Sequence, residues 1–337
     1  MNCKSIILLI VVLLFWGNAE ARKKKGKKVE EVQTESAYRK FFKGKACETA
    51  KGMITLHKMD GRVYFEIPLA LMGREMLMGS TISEITNNGF GSVGEKPKGL
   101  LYISFVRCDS VISLKQLTAQ YDTNEENLKQ RIKESTIPAT IKNFKITTYN
   151  EDSTAVVIDM TDYLVSADEA IDPFSPWAPI LAGGERVMEK EFRRENSQVV
   201  SIKAFEDNVS VKSSLTYGLS LKNKVMYIFQ REPFTAVMTR SFILLPEHPM
   251  RPRLADPRIA IFSQGVSVFN GDSRGAQARY YAQRWNLEPK DMEQYRKGVL
   301  TEPKKPIVFY VDNTFPENWK KYIKEGVEVW QMAFEKI

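Results

Sequence analysis

The sequence predicts an α+β protein in which β structure dominates. Three observations carry that prediction. Short runs alternate apolar and polar residues, from "LLYISFVRCDSVISLKQLT" at 100–118 to "TAVMTRSFILLP" at 235–246, which is the period-2 mark of half-buried strands. Between two such runs stands Asp60-Gly61, the dipeptide that most readily supplies the positive φ angles of a tight hairpin. Helical spacing is confined to a few short stretches and to one strongly amphipathic segment at 317–337. With 337 residues the chain exceeds what one core usually fills, so more than one domain is expected.

Residues 1–21 read as a signal peptide. Lys4 gives a positive start, "IILLIVVLLFW" at 6–16 an apolar core, and Ala19-Glu20-Ala21 a small-residue cleavage site. That core falls short of the ~20 apolar residues that span a bilayer as a helix. Cys3 precedes the apolar run, whereas the lipid acceptor of a lipoprotein would follow it. The protein is therefore expected to be exported: periplasmic, associated with the outer membrane, or extracellular. The run "RKKKGKK" at 22–28 opens with Arg22, closes with Lys28 and carries six of the eight formal net charges. Basicity thus belongs to a tail and not to a folded face, which argues against nucleic acid as a partner. The tail, within a linker over 22–40 expected to be disordered, suits contact with an anionic membrane surface or plain solvation. Beyond the signal segment only Cys47 and Cys108 remain. A disulfide between them and two separate thiols both fit an oxidising compartment.

From 41 to 90, "GMITLHKMDGRVYFEIP" reads as two strands about Asp60-Gly61, and "LALMGREMLMG" then has helical spacing, which makes a small ββα unit. A glycine-rich break, "NNGFGSVGEKPKG", leads into a large β-rich α+β domain over 95–300. Within it "TNEENLKQRIKES" is a helix opened by Thr123 or Asn124, and "ATIKNFKITTYNEDSTAVVIDM" a hairpin around "NED". "TDYLVSADEAIDPFSPWAPI" is a short helix running into a Pro-rich loop. Further β-type runs follow in "QVVSIKAFEDNVSVKSSLTYGLSL", "KVMYIFQR" and "TAVMTRSFILLP". A crossing segment, "PEHPMRPRLADPRIAIF", and a linker, "TEPKKP", complete this region.

Motifs of chemistry are sparse. The chain has two histidines, His57 and His248, expected at the surface or in loops, and no H-E-x-x-H, so it builds no zinc site of its own. A Ser-His-Asp triad has no G-x-S-x-G to stand on. "GFGSVG" is followed by Lys-Pro, not by an apolar helix, and reads as linker, not as a phosphate-binding loop. Acidic residues are abundant, but nothing selects a catalytic pair. Arg251, Arg253 and Arg258 cluster with Asp256, either as forks for an anionic group or as an internal Arg-Asp network holding an extended crossing.

The terminal segment, 304–337, is the sharpest feature. "PIVFYV" alternates as a strand, and Thr314 stands three residues before Glu317 with capping-box spacing. Trp319, Tyr322, Ile323, Val327, Trp330, Ala333, Phe334 and Ile337 share one helical face while Lys320, Lys321, Lys324, Glu325 and Glu328 face away. Such a helix is suited to lie on a sheet.

"IVFYVDNTFP" followed by "WKKYIKEGVEVWQMAFEKI" resembles the opening of a metzincin-type zinc peptidase domain. "GMITLHKMDGRVYFEIPLALMGREML", "MRPRLADPRIAIF" and "ARYYAQRWNLEP" are similar, in order, to the region preceding the peptidase domain in large secreted zinc-dependent metalloproteases of Gram-negative bacteria. The resemblance covers most of residues 40–337. It implies an incomplete metzincin-like α/β peptidase domain from 304, a catalytic zinc held further downstream and none held by this chain, and a chain that is not catalytic by itself. The implied function is an accessory or prodomain-like region whose partners are its own peptidase domain and, through a sheet edge, polypeptide substrate. A standalone periplasmic or surface-binding (adhesion) protein is the alternative. "FNGD" at 269–272 also matches the F-x-G-D pattern with which astacin-like proenzymes aim an Asp at the catalytic zinc. That would give Asp272 a zinc-blocking role, although "NGD" is equally ordinary turn chemistry.

Overall fold

The computed structural model describes residues 35–118, 121–123, 125–175, 186–271, 275–313 and 315–336. The signal segment, the basic run and Asp272 lie outside the described residues. In chain order the elements are α1 (Ala37–Phe42), β1 (Glu48–Ala50), β2 (Thr55–Met59), β3 (Arg62–Pro68), β4 (Met76–Ile85), β5 (Leu101–Cys108), β6 (Val111–Gln116), β7 (Tyr121–Asp122), α2 (Glu126–Ser135), β8 (Ala139–Tyr149), β9 (Ala155–Asp159) and α3 (Thr161–Leu164). They continue with β10 (Val187–Phe192), β11 (Gln198–Ala204), β12 (Asn208–Lys222), β13 (Tyr227–Leu244), β14 (Ser263–Val268), β15 (Gln277–Ala282), α4 (Met292–Arg296), α5 (Glu317–Glu328) and α6 (Gln331–Phe334).

The expected β-rich α+β class is what the structure has. Among the described residues twelve strands form one antiparallel sheet in the order β1-β2-β3-β9-β8-β6-β5-β4-β13-β12-β10, with β11 also paired to β12. A small sheet, β15-β14-β7, stands apart from it. Local turn chemistry sets the hairpins. Met59 faces Arg62 across a two-residue turn in which Asp60 and Gly61 have φ of 52° and 72°, the left-handed pair a type I′ turn needs. In the β8–β9 hairpin, Asn150 Oδ1 accepts from Ala155 N at 2.9 Å and closes the loop around "NED". The runs "KVMYIFQR" and "TAVMTRSFILLP" merge into the single strand β13, which passes through Pro233. Thr235 N turns toward β4, where it meets Thr86 Oγ1. Pro233, two residues earlier, presents its nitrogen to the same side, beyond the end of β4 at Ile85, where no ladder bond is lost.

Four expectations are corrected. "LALMGREMLMG" is not a helix: Leu69–Leu71 make one 3-10 turn, Gly73 takes φ of 77°, and β4 follows. Met76, Met78, Ser80 and Ile82 are buried at period 2, and pairing with β13 on one side and β5 on the other outweighs a short helical spacing. The segment 306–311 forms no strand; Phe309 and Tyr310 are exposed, since an alternating run becomes a strand only where another strand offers a ladder. The described chain is already helical at Ala37, inside the stretch read as linker, because Tyr38, Phe41 and Phe42 find apolar cover against Met59, Tyr64 and Val157. Helix α2 begins at Glu126 with Glu125 as its cap residue; Thr123 Oγ1 accepts from Glu125 N instead.

The sheet curls until its ends meet. Met53 N donates to Phe205 O at 2.7 Å, and Lys58 Nζ to Val200 O at 2.6 Å, joining the β2 end to the β11 end. Gly52 permits this approach, because a Cβ there would stand 2.4 Å from Phe205 O. One apolar core fills the concave face, with the Phe242 ring 5.4 Å from Phe65 and 6.2 Å from Phe105. It draws on residues from Met53 to Phe242, so the segments on either side of the glycine-rich break share one sheet and one core. The segment 161–174, beginning with α3, closes that core from above with Tyr163, Leu164, Ile171 and Phe174.

Candidate functional site

Three places concentrate chemistry, and the first lies inside the curled sheet. Along β13, Ala236, Met238, Arg240 and Phe242 alternate inward, which puts a guanidinium at a core position with 0% exposure. On the neighbouring strands Arg240 pairs with Val211 of β12 and Ser80 of β4. Its NH2 donates to Ile171 O at 3.0 Å and its NH1 to Met238 O at 3.5 Å, so it tethers the covering segment to the sheet. Burial pushes the guanidinium down to about 10, so it stays protonated at neutral pH. Around it the Nε of Arg240 and the hydroxyls of Tyr163, Tyr217 and Ser213 are buried with no hydrogen-bond partner. Burial also raises both tyrosines, with Asp168 adding for Tyr163 and Asp172 for Tyr217. Asp172, itself 2% exposed, takes Lys98 Nζ at 3.0 Å, Lys190 Nζ at 2.8 Å and Phe174 N at 3.0 Å. Lys190 also stands 4.9 Å over the Phe174 ring.

The second place is the outer face of β1–β3, beneath α1. His57 Nε2 lies 2.9 Å from Glu66 Oε2, its Nδ1 lies 3.0 Å from Thr49 Oγ1, and Tyr38 O–H donates to the same Glu66 oxygen at 2.7 Å. An ionised Glu66 only accepts, so His57 Nε2 carries the proton directed at it. The hydrogen bond from His57 holds the Glu66 carboxyl below its ordinary range; burial opposes that and the Tyr38 bond reinforces it. Cys47 Sγ borders the cluster, 3.6 Å from Thr49 Oγ1 and 3.9 Å from His57 Nδ1. His57, expected at the surface, is therefore buried at 5% exposure, because strand parity and the helix above it enclose the ring against Phe42 at 4.6 Å. His248 lies in an exposed loop, as expected. Cys47 and Cys108 are separate thiols.

The third place is the C-terminal helical segment. Trp319, Tyr322, Val327, Trp330 and Met332 are all exposed, and α5 buries no residue. Its polar side carries Lys321–Glu325 and Lys324–Glu328 pairs at 3.8 and 3.6 Å. The helix starts at Glu317 with Pro316 as its cap residue, and Thr314 lies outside the described residues.

Of the residues singled out in the sequence, Arg258 pairs with Asp256 within one turn, NH2 to Oδ2 at 2.6 Å. Arg251 and Arg253 enter only through their backbone carbonyls, which accept from Arg284 NH2 and Ala282 N, while their side chains are exposed. The four therefore do not converge. The adjoining Gly271 N donates to Glu125 Oε1 at 2.6 Å. Both His57 nitrogens are engaged in hydrogen bonds, and among the described residues no three His, Cys, Asp or Glu side chains group to hold a metal.

A family model described as "Domain of unknown function (DUF5117)" matches residues 95–290, more than half of the chain. The chain belongs to that family. A second model, "Domain of unknown function (DUF5118)", matches residues 35–85. The DUF5118 segment thus supplies β1–β4 and the His57 cluster, and the DUF5117 segment supplies β5–β15 and Arg240. Strands β3 and β4 pair with β9 and β13 across the two matches. No curated protein and no solved structure matches the chain. Among the described residues no helix is long and apolar enough to cross a membrane.

Proposed function

We propose that this DUF5117 chain is an accessory, prodomain-like region of an exported zinc-dependent metallopeptidase, and that its C-terminal helix is the surface on which the peptidase sheet packs. The observation that supports this reading is the uncovered stripe of α5 and α6. Trp319, Tyr322, Val327 and Trp330 face solvent on one side, and ion pairs occupy the other. An apolar helical face of this kind commonly marks an interaction surface, and the order strand-like segment, turn, helix is the one through which the sequence resembles a metzincin opening. The curled sheet, with its own closed core, then serves as a scaffold that carries no hydrolytic machinery.

Two measurements test it. The reading frame continued past Ile337 in genomic DNA should encode H-E-x-x-H; a stop codon with no zinc motif in any frame overturns the proposal and favours a standalone binding protein. Residues 22–337, purified, should bind a hydrophobic dye strongly, lose most of that signal when shortened to 22–300, and show no chelator-sensitive peptide hydrolysis. For Asp272 the outcome expected of a zinc-blocking carboxylate is that Asp272→Ala in the parent protein raises peptide hydrolysis before processing; unchanged activity leaves it an ordinary turn residue.

A further inference from the structure

Arg240 presents an electrostatic imbalance that the chain does not resolve by itself. Its guanidinium has 0% exposure, and the acceptors within bonding distance are two neutral carbonyls, Ile171 O and Met238 O. A buried cation hydrogen-bonded only to neutral groups is among the costliest features a core can hold. Asp172, which acts electrostatically on Arg240, does not supply it, because its oxygens are taken by Lys98, Lys190 and Phe174 N. The centre therefore gathers three cations, Arg240, Lys98 and Lys190, about Asp172, with Asp168 as the further carboxylate acting on Tyr163. Three hydroxyls, on Tyr163, Tyr217 and Ser213, lie buried in the same core without a hydrogen-bond partner, as does Arg240 Nε. Each buried polar group without a partner in a native core calls for an explanation, an unseen water or ion among them, and here four lie in one core.

A further apolar side chain would leave all four unpaired, and a water would satisfy hydroxyls but bring no charge. A small anion answers both needs, accepting from N–H and O–H groups while balancing the guanidinium. We propose that the interior of the curled sheet is a binding centre for one small anion, a formate-like carboxylate, phosphate or halide, held by Arg240 Nε with the Tyr163, Tyr217 and Ser213 hydroxyls as further donors. The covering segment 161–174 encloses it from above, so occupancy also fastens that segment through the bond from Arg240 to Ile171.

The test compares the full chain with a Tyr163→Phe/Tyr217→Phe double variant, which removes two donors and keeps both rings, and with Ser213→Ala. At matched ionic strength, formate and phosphate titrations should raise Tm of the wild type by about 5 °C at roughly 100-fold excess over Kd. The double variant should lose most of that shift and Ser213→Ala part of it. Crystals grown in bromide should show an anomalous peak within hydrogen-bond reach of Arg240 Nε. Equal shifts in all three proteins would mean only general salt effects and overturn the proposal. So would density in which the hydroxyls meet water alone, or the absence of any shift in the wild type.

Discussion

Glu66 accepts from both His57 and Tyr38 on a face that α1 shields from water, and the hydrogen bond from His57 is the largest influence holding its carboxyl below the ordinary range. A carboxyl depressed in the folded state stabilises above the unfolded value of about 4.3 and loses that contribution as pH falls through the lower folded value. Glu66→Gln should therefore cost about 1.5–3 kcal/mol near neutral pH, the range for hydrogen bonds to a charged group. The urea midpoint of wild type and variant should converge as pH is taken below about 4. His57 and Glu66 were both present in "TLHKMDGRVYFEI" at alternating positions, but nothing local says which face of a hairpin will be covered. The same holds for Arg240: its parity with Ala236, Met238 and Phe242 was legible, and that parity is the signal that would have marked it as an inward cation.

At the scale of the element, Gly52 makes the closure of the sheet testable. A Cβ placed 2.4 Å from Phe205 O cannot be accommodated without moving backbone, so Gly52→Ala should lower stability by roughly 1–3 kcal/mol, as overpacking does. Gly99→Ala, where an added Cβ meets nothing within 4 Å, should change the urea midpoint little. Elements defined by turn chemistry, such as the Asp60-Gly61 hairpin and the loop closed by Asn150, were readable because a few adjacent residues determine them. The stretch 69–85 and the run 306–311 were not. Both carry apolar residues at spacings that two structures share, and the presence or absence of a neighbouring strand decides between them. Amphipathic α5 was legible from period alone, and its exposed stripe is what the dye-binding comparison of 22–337 with 22–300 measures.

For the whole molecule, strand pairing unites the two family segments. Because β3–β9 and β4–β13 carry the ladder across them, residues 35–290 should unfold in urea as one transition, followed alike by tryptophan-independent far-UV and tyrosine signals. Residues 35–90 made alone should remain unfolded, since Leu56, Phe65 and Met76 would lose partners such as Phe242. Two separate transitions would show that the shared core does not couple the segments. The α+β class with dominant strands, the hairpin turns, the amphipathic helix and the lack of a zinc-binding motif were determined by the sequence itself, since each follows from residue type at short spacing. Tertiary structure alone decided that β11 comes round to β2, that the outer face of β1–β3 lies under α1, and that Arg240, Tyr163, Tyr217 and Ser213 share one interior. Those contacts join residues more than a hundred positions apart in places, where no local period or turn preference reaches, and they depend on how the whole sheet twists and closes over a single core.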